Sequence, residues 1–240
     1  MPKLFCVSDI HSYYDKFLEA LLAAGFDRDN EEHWLICCGD YFDRGDKPAE
    51  VMEYLSGLPR KVLVRGNHED LLEVCCARRY AFFHDYTNGT ASTIFDLGNS
   101  EDFKESCDSC IARVQPFLAE MVDFFETKNY VFVHGWIPAW VPEWRSASRK
   151  DWEAARWKNG MKCANNGDME ENGKTIVCGH YHTSWGHCYL EELGCEDEYE
   201  HGDFSPYYAK GIIAIDACTA YSGQVNVVVL EDEFLKVDSE

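Results

Sequence analysis

The sequence predicts an α/β protein built on a largely parallel sheet, and two patterns predict it. From Met1 to about Arg79, short apolar runs alternate with stretches of helical periodicity, in the order strand, helix, strand, helix, strand, helix. Five apolar runs in the chain also end directly in a short cluster of Asp, Asn and His. Ligand sites in open α/β sheets gather at the carboxyl ends of strands, so five such ends can meet at one place.

The first strand is Leu4 to Val7, and Asp9-Ile10-His11 follows it. Phe17-Leu18 and Leu21-Leu22 then mark one face of a helix. The second strand, Trp34 to Cys38, runs into Gly39-Asp40-Tyr41-Phe42-Asp43-Arg44-Gly45; Val51-Met52 and Leu55 mark the next helix, which closes at Ser56-Gly57-Leu58-Pro59. Lys61 to Val64 is the third strand, followed by Gly66-Asn67-His68-Glu69. Between about residues 80 and 127 the pattern changes to aromatics, an Asn88-Gly89 turn and a helix expected from Cys110 to Phe125, a helical and loop insertion assigned to substrate access. Tyr130 to Val133 leads to His134-Gly135, and Thr175 to Cys178 leads to Gly179-His180-Tyr181-His182. Gly186 to Tyr208 reads as a long surface loop, and Gly211 to Asp216 with Gln224 to Leu230 as a hairpin-like pair closing a second sheet.

With 240 residues the chain supports one substantial core, read as a single domain over 1–240. The apolar runs are strand-sized and the N-terminus enters a strand almost at once, so neither a membrane-spanning helix nor a secretory signal is expected. These features point to the cytoplasm. Cys6, Cys37, Cys38 and Cys178 lie inside apolar runs, and adjacent pairs such as Cys75-Cys76 do not resemble a disulfide framework, so reduced thiols are expected. Cys107 and Cys110 have the spacing of half a zinc knuckle, without a convincing second half. A net charge of −21 and the absence of a basic stripe argue against a nucleic-acid polymer as partner. The acid runs at Glu191-Glu192, Glu196 to Glu200 and Glu231 to Glu233 read as solvated surface.

A single Asp at a strand end is usually a helix cap and a single His a satisfied polar group. The joint pattern is different, because five of the nine histidines fall in these clusters together with Asp and Asn. Carboxylate, imidazole and amide oxygen without thiolate suit Mn, Fe or Zn. Asp40 is placed so that one carboxylate could touch two cations, which suggests a two-metal site for hydrolysing a phosphate ester.

In that order, Asp-x-His, Gly-Asp-x-x-Asp-Arg-Gly, Gly-Asn-His-Glu, His-Gly and Gly-His resemble the calcineurin-like metallophosphoesterases. The Asp-Arg-Gly and Gly-Asn-His-Glu forms are most similar to small bacterial and viral PPP-type serine/threonine protein phosphatases and to the symmetrical diadenosine tetraphosphatases. The resemblance implies an α/β sandwich of two packed mixed sheets flanked by helices. It implies two divalent metal ions, with Mn the first candidate, one held by Asp9, His11 and Asp40 and the other by Asp40, Asn67, His134 and His180. A metal-bridging hydroxide would attack phosphorus, His68 oriented by Asp43 would protonate the leaving oxygen, and Arg44 and Arg65 would grip phosphate oxygens.

The chain departs from the PPP pattern at four places: Ser8 and Ser12 stand for glycines, Trp136 follows Gly135, Trp157-Lys158-Asn159 replaces Trp-x-Arg, and His182 is a second histidine that in the wider superfamily completes metal one. His182 is therefore included among the metal ligands. The expected substrate is a phosphorylated protein or small phosphoester, with a dinucleoside polyphosphate or phosphodiester as the alternative. A non-catalytic scaffold is disfavoured, since His68 and Asp43 are both present.

Overall fold

The computed structural model describes residues 1–167, 173–190 and 198–235. Its strands are β1 (Lys3–Val7), β2 (His33–Cys38), β3 (Lys61–Val64), β4 (Phe125–Glu126), β5 (Tyr130–Phe132), β6 (Thr175–Cys178), β7 (Tyr207–Ala209), β8 (Ile212–Ala214) and β9 (Val228–Glu231). The helices are α1 (Tyr14–Ala23), α2 (Pro48–Ser56), α3 (Asn67–Arg78), α4 (Phe83–Asn88), α5 (Thr90–Gly98), α6 (Phe103–Ala119), α7 (Arg149–Ala155), α8 (Gly160–Asn165), α9 (Thr183–Leu190) and α10 (Thr219–Ser222). Two mixed sheets result, one in the order β3-β2-β1-β9 and one in the order β4-β5-β6-β8-β7.

Period-2 alternation along the strands explains the layers. Leu4, Cys6, Ile36, Cys38 and Val64 of the first sheet meet Phe132, Val177 and Ile213 of the second, which makes the core between the sheets. The intervening residues Phe5, Val7, Leu35, Cys37 and Leu63 face the other way, onto a cluster that includes Phe17, Val51, Leu72 and Phe117 from the surrounding helices. Val131, Ile176, Cys178 and Ile212 do the same on the outer face of the second sheet, against Trp152 and Met161. The runs are apolar at every position because both faces are covered. Each such side chain contributes about 1.5–3 kcal/mol by leaving water.

The strand ends that carry the Asp, Asn and His clusters line up because the strands are parallel. β1 pairs with β2 and β2 with β3 in parallel, as do β5 with β6 and β6 with β8. Their carboxyl ends therefore open at the same side of the sandwich.

Three expectations about secondary-structure elements are corrected. The last two strands are not a hairpin: β8 pairs with β6 and β7, whereas β9 crosses to the first sheet and pairs antiparallel with β1. The stretch read as a surface loop begins with α9, and its acidic centre at 191–197 lies outside the described residues. The helix expected from Cys110 to Phe125 is α6, which starts where Asp102 accepts hydrogen bonds from the N–H groups of Lys104 and Glu105. It ends early because the chain beyond it pairs with β3: Val122 N–H donates to Leu63 O at 2.9 Å, and Arg65 N–H to Val122 O at 2.9 Å.

Cys107 and Cys110 are buried free thiols on α6, in the core between helices and first sheet. Cys188 is disulfide-bonded, which corrects the reduced-thiol expectation at that position. Among the described residues, no helix is long and apolar enough to cross a membrane.

Candidate metal centre

The strand ends that carry the clusters share an unusual backbone. Asp9, His11, Ser12, Asp40, Asp43, Arg44 and His180 have φ of 53°, 48°, 61°, 58°, 72°, 67° and 65°, all in the left-handed region that L-residues disfavour. Strain concentrated in this way marks a place where packing over-determines the backbone, and it turns all of these side chains except the exposed Arg44 toward one place. Ser12 thus takes a conformation natural to the glycine it replaces. Two glycines make the approach possible. A Cβ on Gly39, at φ 88°, would lie 2.6 Å from His134 Nδ1, and one on Gly66 would lie 2.1 Å from Asp40 Oδ1.

Backbone carbonyls aim the imidazoles. His11 Nδ1 lies 2.8 Å from Phe42 O and His134 Nδ1 2.7 Å from Cys38 O, so each donates its Nδ1–H and directs Nε2 to the centre. The His180 ring bonds the Trp157 carbonyl and stands edge-on to the Trp157 ring at 5.7 Å. The two oxygens of Asp40 then face different histidines: Oδ2 is 3.7 Å from His11 Nε2 and Oδ1 is 3.3 Å from His134 Nε2. Asn67 Oδ1 sits 2.8 Å from His134 Nε2. Asp9 Oδ1 is 3.9 Å from His11 Nε2, and Asp9 Oδ2 accepts from the Ser8 hydroxyl and from His180 N–H at 2.9 Å.

Two groups of ligand atoms lie within 4.8 Å of one another, His11, Asp40, His68 and Asp40, His134, His180. Asp40 belongs to both. His182 joins neither: its Nδ1 is 2.7 Å from Ser184 Oγ, and its ring stacks on Tyr181 and packs against Tyr199.

Charge in the centre follows from burial and neighbours. Burial pushes Asp40 upward, but His134 and His68 outweigh it and hold the carboxyl well below its ordinary value. Burial pulls His134 down, while Asp40 more than reverses this and raises it to about 10. Burial lowers His11 well below the usual imidazole value and His180 to about 3. Burial raises Asp9 to about 6, with the Asp40 charge adding to it. Buried carboxylates beside inward imidazole nitrogens and an amide oxygen form a donor set that fits divalent cations, whose charge would displace the His134 proton.

Beside this centre, His68 Nδ1 is 2.7 Å from Asp43 Oδ2, and the same carboxylate accepts from Thr90 Oγ1 at 2.6 Å and Thr93 Oγ1 at 2.9 Å. Burial lowers the His68 pKa, but the Asp40 charge and the Asp43 bond reverse this and leave it raised. His68 Nε2 points back to within 3.9 Å of Asp40 Oδ2.

Two acids escaped the sequence reading. Glu69 is buried and accepts from the N–H groups of Gly66 at 2.9 Å, Asp40 at 3.1 Å and Tyr41 at 2.9 Å. Its signal was its place three residues after the helix cap, where Glu reaches back to the cap N–H. Burial and the Asp40 charge raise its pKa to about 7. Asp216 follows β8 as Asp9 follows β1; burial and the Asp9 charge raise it well above the carboxylate range.

The two arginines fare differently. Arg44 is exposed and has no ion pair among the described residues. Arg65 is committed to Asp70, at 2.7 Å, and to Glu73. Arg156, beside the missing Trp-x-Arg, is buried against the same Asp70 at 2.6 Å and against Asp123. A groove of 430 Å³ starts at Asn67 and runs past Leu71 and Val74 to Arg149 and Trp157.

Residues 2–196 match the sequence profile of the calcineurin-like phosphoesterases. The chain belongs to this family. Calcineurin-like phosphoesterases are metal-dependent and typically bind two divalent metals, and the fold and the paired His/Asp groups agree with that. Over 67 residues the chain is 36% identical to the symmetrical bis(5'-nucleosyl)-tetraphosphatase of Nitrosococcus oceani, which covers 28% of this chain and 23% of that protein. The counterpart from Buchnera aphidicola subsp. Baizongia pistaciae is 33% identical over 66 residues, 27% of this chain and 23% of the relative. The matched stretch thus spans about a quarter of these relatives. Among solved structures, a putative diadenosine tetraphosphatase superposes with a TM-score of 0.60 at 16% identity, covering 96% of this chain and 91% of the other. A cold-active protein-tyrosine phosphatase of a psychrophilic Shewanella gives 0.57 at 19% identity, covering 96% and 76%. At such identities the likeness is one of fold.

Proposed function

We propose that this calcineurin-like phosphoesterase hydrolyses a dinucleoside polyphosphate with two divalent cations, Mn before Fe or Zn. One cation would be held by Asp9, His11 and Asp40, the other by Asp40, Asn67, His134 and His180. The observation that carries the reading is Asp40, whose two oxygens face the inward Nε2 atoms of His11 and His134 separately, at 3.7 and 3.3 Å. When bound, the cations would acidify a water and screen the charge on the phosphate oxygens. The chain's own residues supply the rest. Asp43 keeps His68 oriented, and His68 would deliver a proton to the leaving oxygen as its bond to phosphorus breaks. Arg44, exposed and next to Asp43, has a guanidinium that could take non-bridging oxygens in a fork.

The sequence pattern alone favours a phosphoprotein substrate; two observations favour the dinucleotide. The partial similarity to symmetrical tetraphosphatases lies at 36% and 33% identity. The groove beginning at Asn67 offers an apolar floor and the half-exposed Trp157 ring, on which a nucleobase could stack. Turnover of diadenosine tetraphosphate, a phosphoserine peptide and an aryl phosphodiester, compared side by side with Mn, tests this. The highest kcat/KM is expected on the tetraphosphate. A higher value on the phosphopeptide would return the phosphatase reading, and no turnover of any would sink the hydrolase reading.

A further inference from the structure

The insertion between α3 and β4 reaches the candidate proton donor. Asp43 is fully buried, and its carboxylate has three side-chain partners: His68 Nδ1 at 2.7 Å, Thr90 Oγ1 at 2.6 Å and Thr93 Oγ1 at 2.9 Å. Thr93 Oγ1 also accepts from the Asp43 backbone N–H at 3.1 Å, so one hydroxyl grips both ends of the residue. Both threonines are buried, one turn apart in the first turn of α5. The position of that turn is set by Gly89, at φ 89°, which packs so tightly that a Cβ there would lie 2.3 Å from the Arg44 backbone nitrogen.

We propose that Thr90 and Thr93 are positioning residues for the proton-transfer step, fixing Asp43 so that His68 presents its Nε2–H to the leaving oxygen; this rests on reading His68 as the proton donor. The two hydroxyls donate to different oxygens, Thr90 to Oδ2 and Thr93 to Oδ1, which pins the plane of the carboxylate and leaves Oδ2 a second lone pair for His68. A carboxylate buried in this way at φ 72° has no solvent to hold it, so the aim of His68 depends on α5. The insertion is then part of the catalytic apparatus as well as a border of the substrate entrance.

The test uses the whole chain with Mn and compares an alkyl with an aryl phosphoester. The alkyl leaving oxygen needs a proton and the aryl one does not. Thr90→Val with Thr93→Val should lower kcat on the alkyl ester about 10–100-fold, the size of a small misalignment, and change the aryl rate little. Thr90→Ser with Thr93→Ser, which keeps both hydroxyls, should restore the alkyl rate. Should the double valine variant not fold, Thr93→Val alone carries the same expectation in smaller measure. Equal losses on both esters, or no loss on either, would overturn the proposal. His68→Asn separates it from the reading beneath: if that change also spares the alkyl rate, the proton-donor assignment falls, and the proposal with it.

Discussion

The carboxylate of Glu69 holds the backbone of Asp40: its Oε2 accepts from the Asp40 N–H at 3.1 Å, while Oε1 accepts from the Tyr41 N–H at 2.9 Å. The same Oε2 takes the Gly66 N–H at 2.9 Å, so one buried side chain ties the end of β2 to the start of α3. Asp40 sits at φ 58°, a conformation its own backbone disfavours, and Glu69 satisfies the N–H groups that this turn exposes to the interior. The shared carboxylate is thus aimed by an acid that does not itself face the imidazoles.

Glu69→Gln replaces one acceptor oxygen with an NH2 group that confronts a backbone donor. The expected cost is about 1–3 kcal/mol of stability, the penalty of an unsatisfied buried donor. Loss of aim at Asp40 should also weaken cation affinity about 10–100-fold, the usual effect of disturbing a ligand's support. Thermal unfolding and calorimetric titration with Mn measure both. An unchanged Mn affinity would show that Asp40 is aimed without Glu69.

Chelation should abolish turnover, and Mn should restore it better than Mg, since imidazole-rich sites favour the later metals. Asp40→Asn should cost more than any other single ligand change, because among the described residues Asp40 alone belongs to both groups of ligand atoms. Metal analysis with turnover decides this. Near-normal turnover of Asp40→Asn at saturating Mn would disprove the shared role.

The convergence of the candidate ligands was legible because these residues are chemically conspicuous and sit where apolar runs stop. Asp9, His11, Asp40, Asn67, His134 and His180 each follow a strand, and parallel pairing then places them together. What supports them was not legible. Thr90 and Thr93 look like ordinary polar residues of a short helix, and their contact with Asp43 spans 47 and 50 positions. The partner of β9 was missed for a related reason. Its alternation fits any half-covered edge, and only packing of the two sheets selects β1 over β8. Arg65 shows what side-chain type alone leaves out, since its place suggested phosphate while in the structure its guanidinium pairs with Asp70 and Glu73.

His182 tests how far the wider-superfamily pattern extends. Its ring is engaged by Ser184, Tyr181 and Tyr199, away from both groups of ligand atoms. His182→Ala should therefore leave two cations bound per chain, while stability falls by about 0.5–3 kcal/mol through lost packing. Metal content by atomic spectroscopy is the readout. A drop to one cation would place His182 among the ligands after all.

Acid should loosen the second sheet through Glu126. Its carboxylate accepts from Arg145 Nη2 at 2.7 Å, Arg145 Nε at 2.9 Å and Lys174 Nζ at 3.4 Å. Burial pushes its pKa up, but Arg145 and then Lys174 outweigh that and hold it lowered. A depressed folded pKa gives stability that is complete above the unfolded value, about 4.3, and is lost as pH falls through the folded value. Urea midpoints measured from pH 6 downward should decline more steeply for the native chain than for Glu126→Gln. Parallel declines would mean that other carboxylates govern the acid transition.

Arg44 and Arg65 should separate in kinetics. Arg44 stands exposed at φ 67°, next to Asp43, with no ion pair among the described residues, so its charge is available to a ligand. Arg65 spends its donors on Asp70 and Glu73, and Asp70 is shared with the buried Arg156. A charge-assisted bond to a phosphate oxygen is worth about 1.5–3 kcal/mol, so Arg44→Ala should lower kcat/KM about 10–150-fold with the melting temperature nearly unchanged. Arg65→Ala should do the opposite. It leaves Asp70 and Glu73 with one cation fewer in a half-buried network, which costs stability, while turnover of the remaining folded protein changes little. Thermal melts and kcat/KM on one substrate, measured for both variants, give the comparison. A large kcat/KM loss in Arg65→Ala at unchanged stability would mean that its guanidinium leaves Asp70 for the phosphate once substrate arrives.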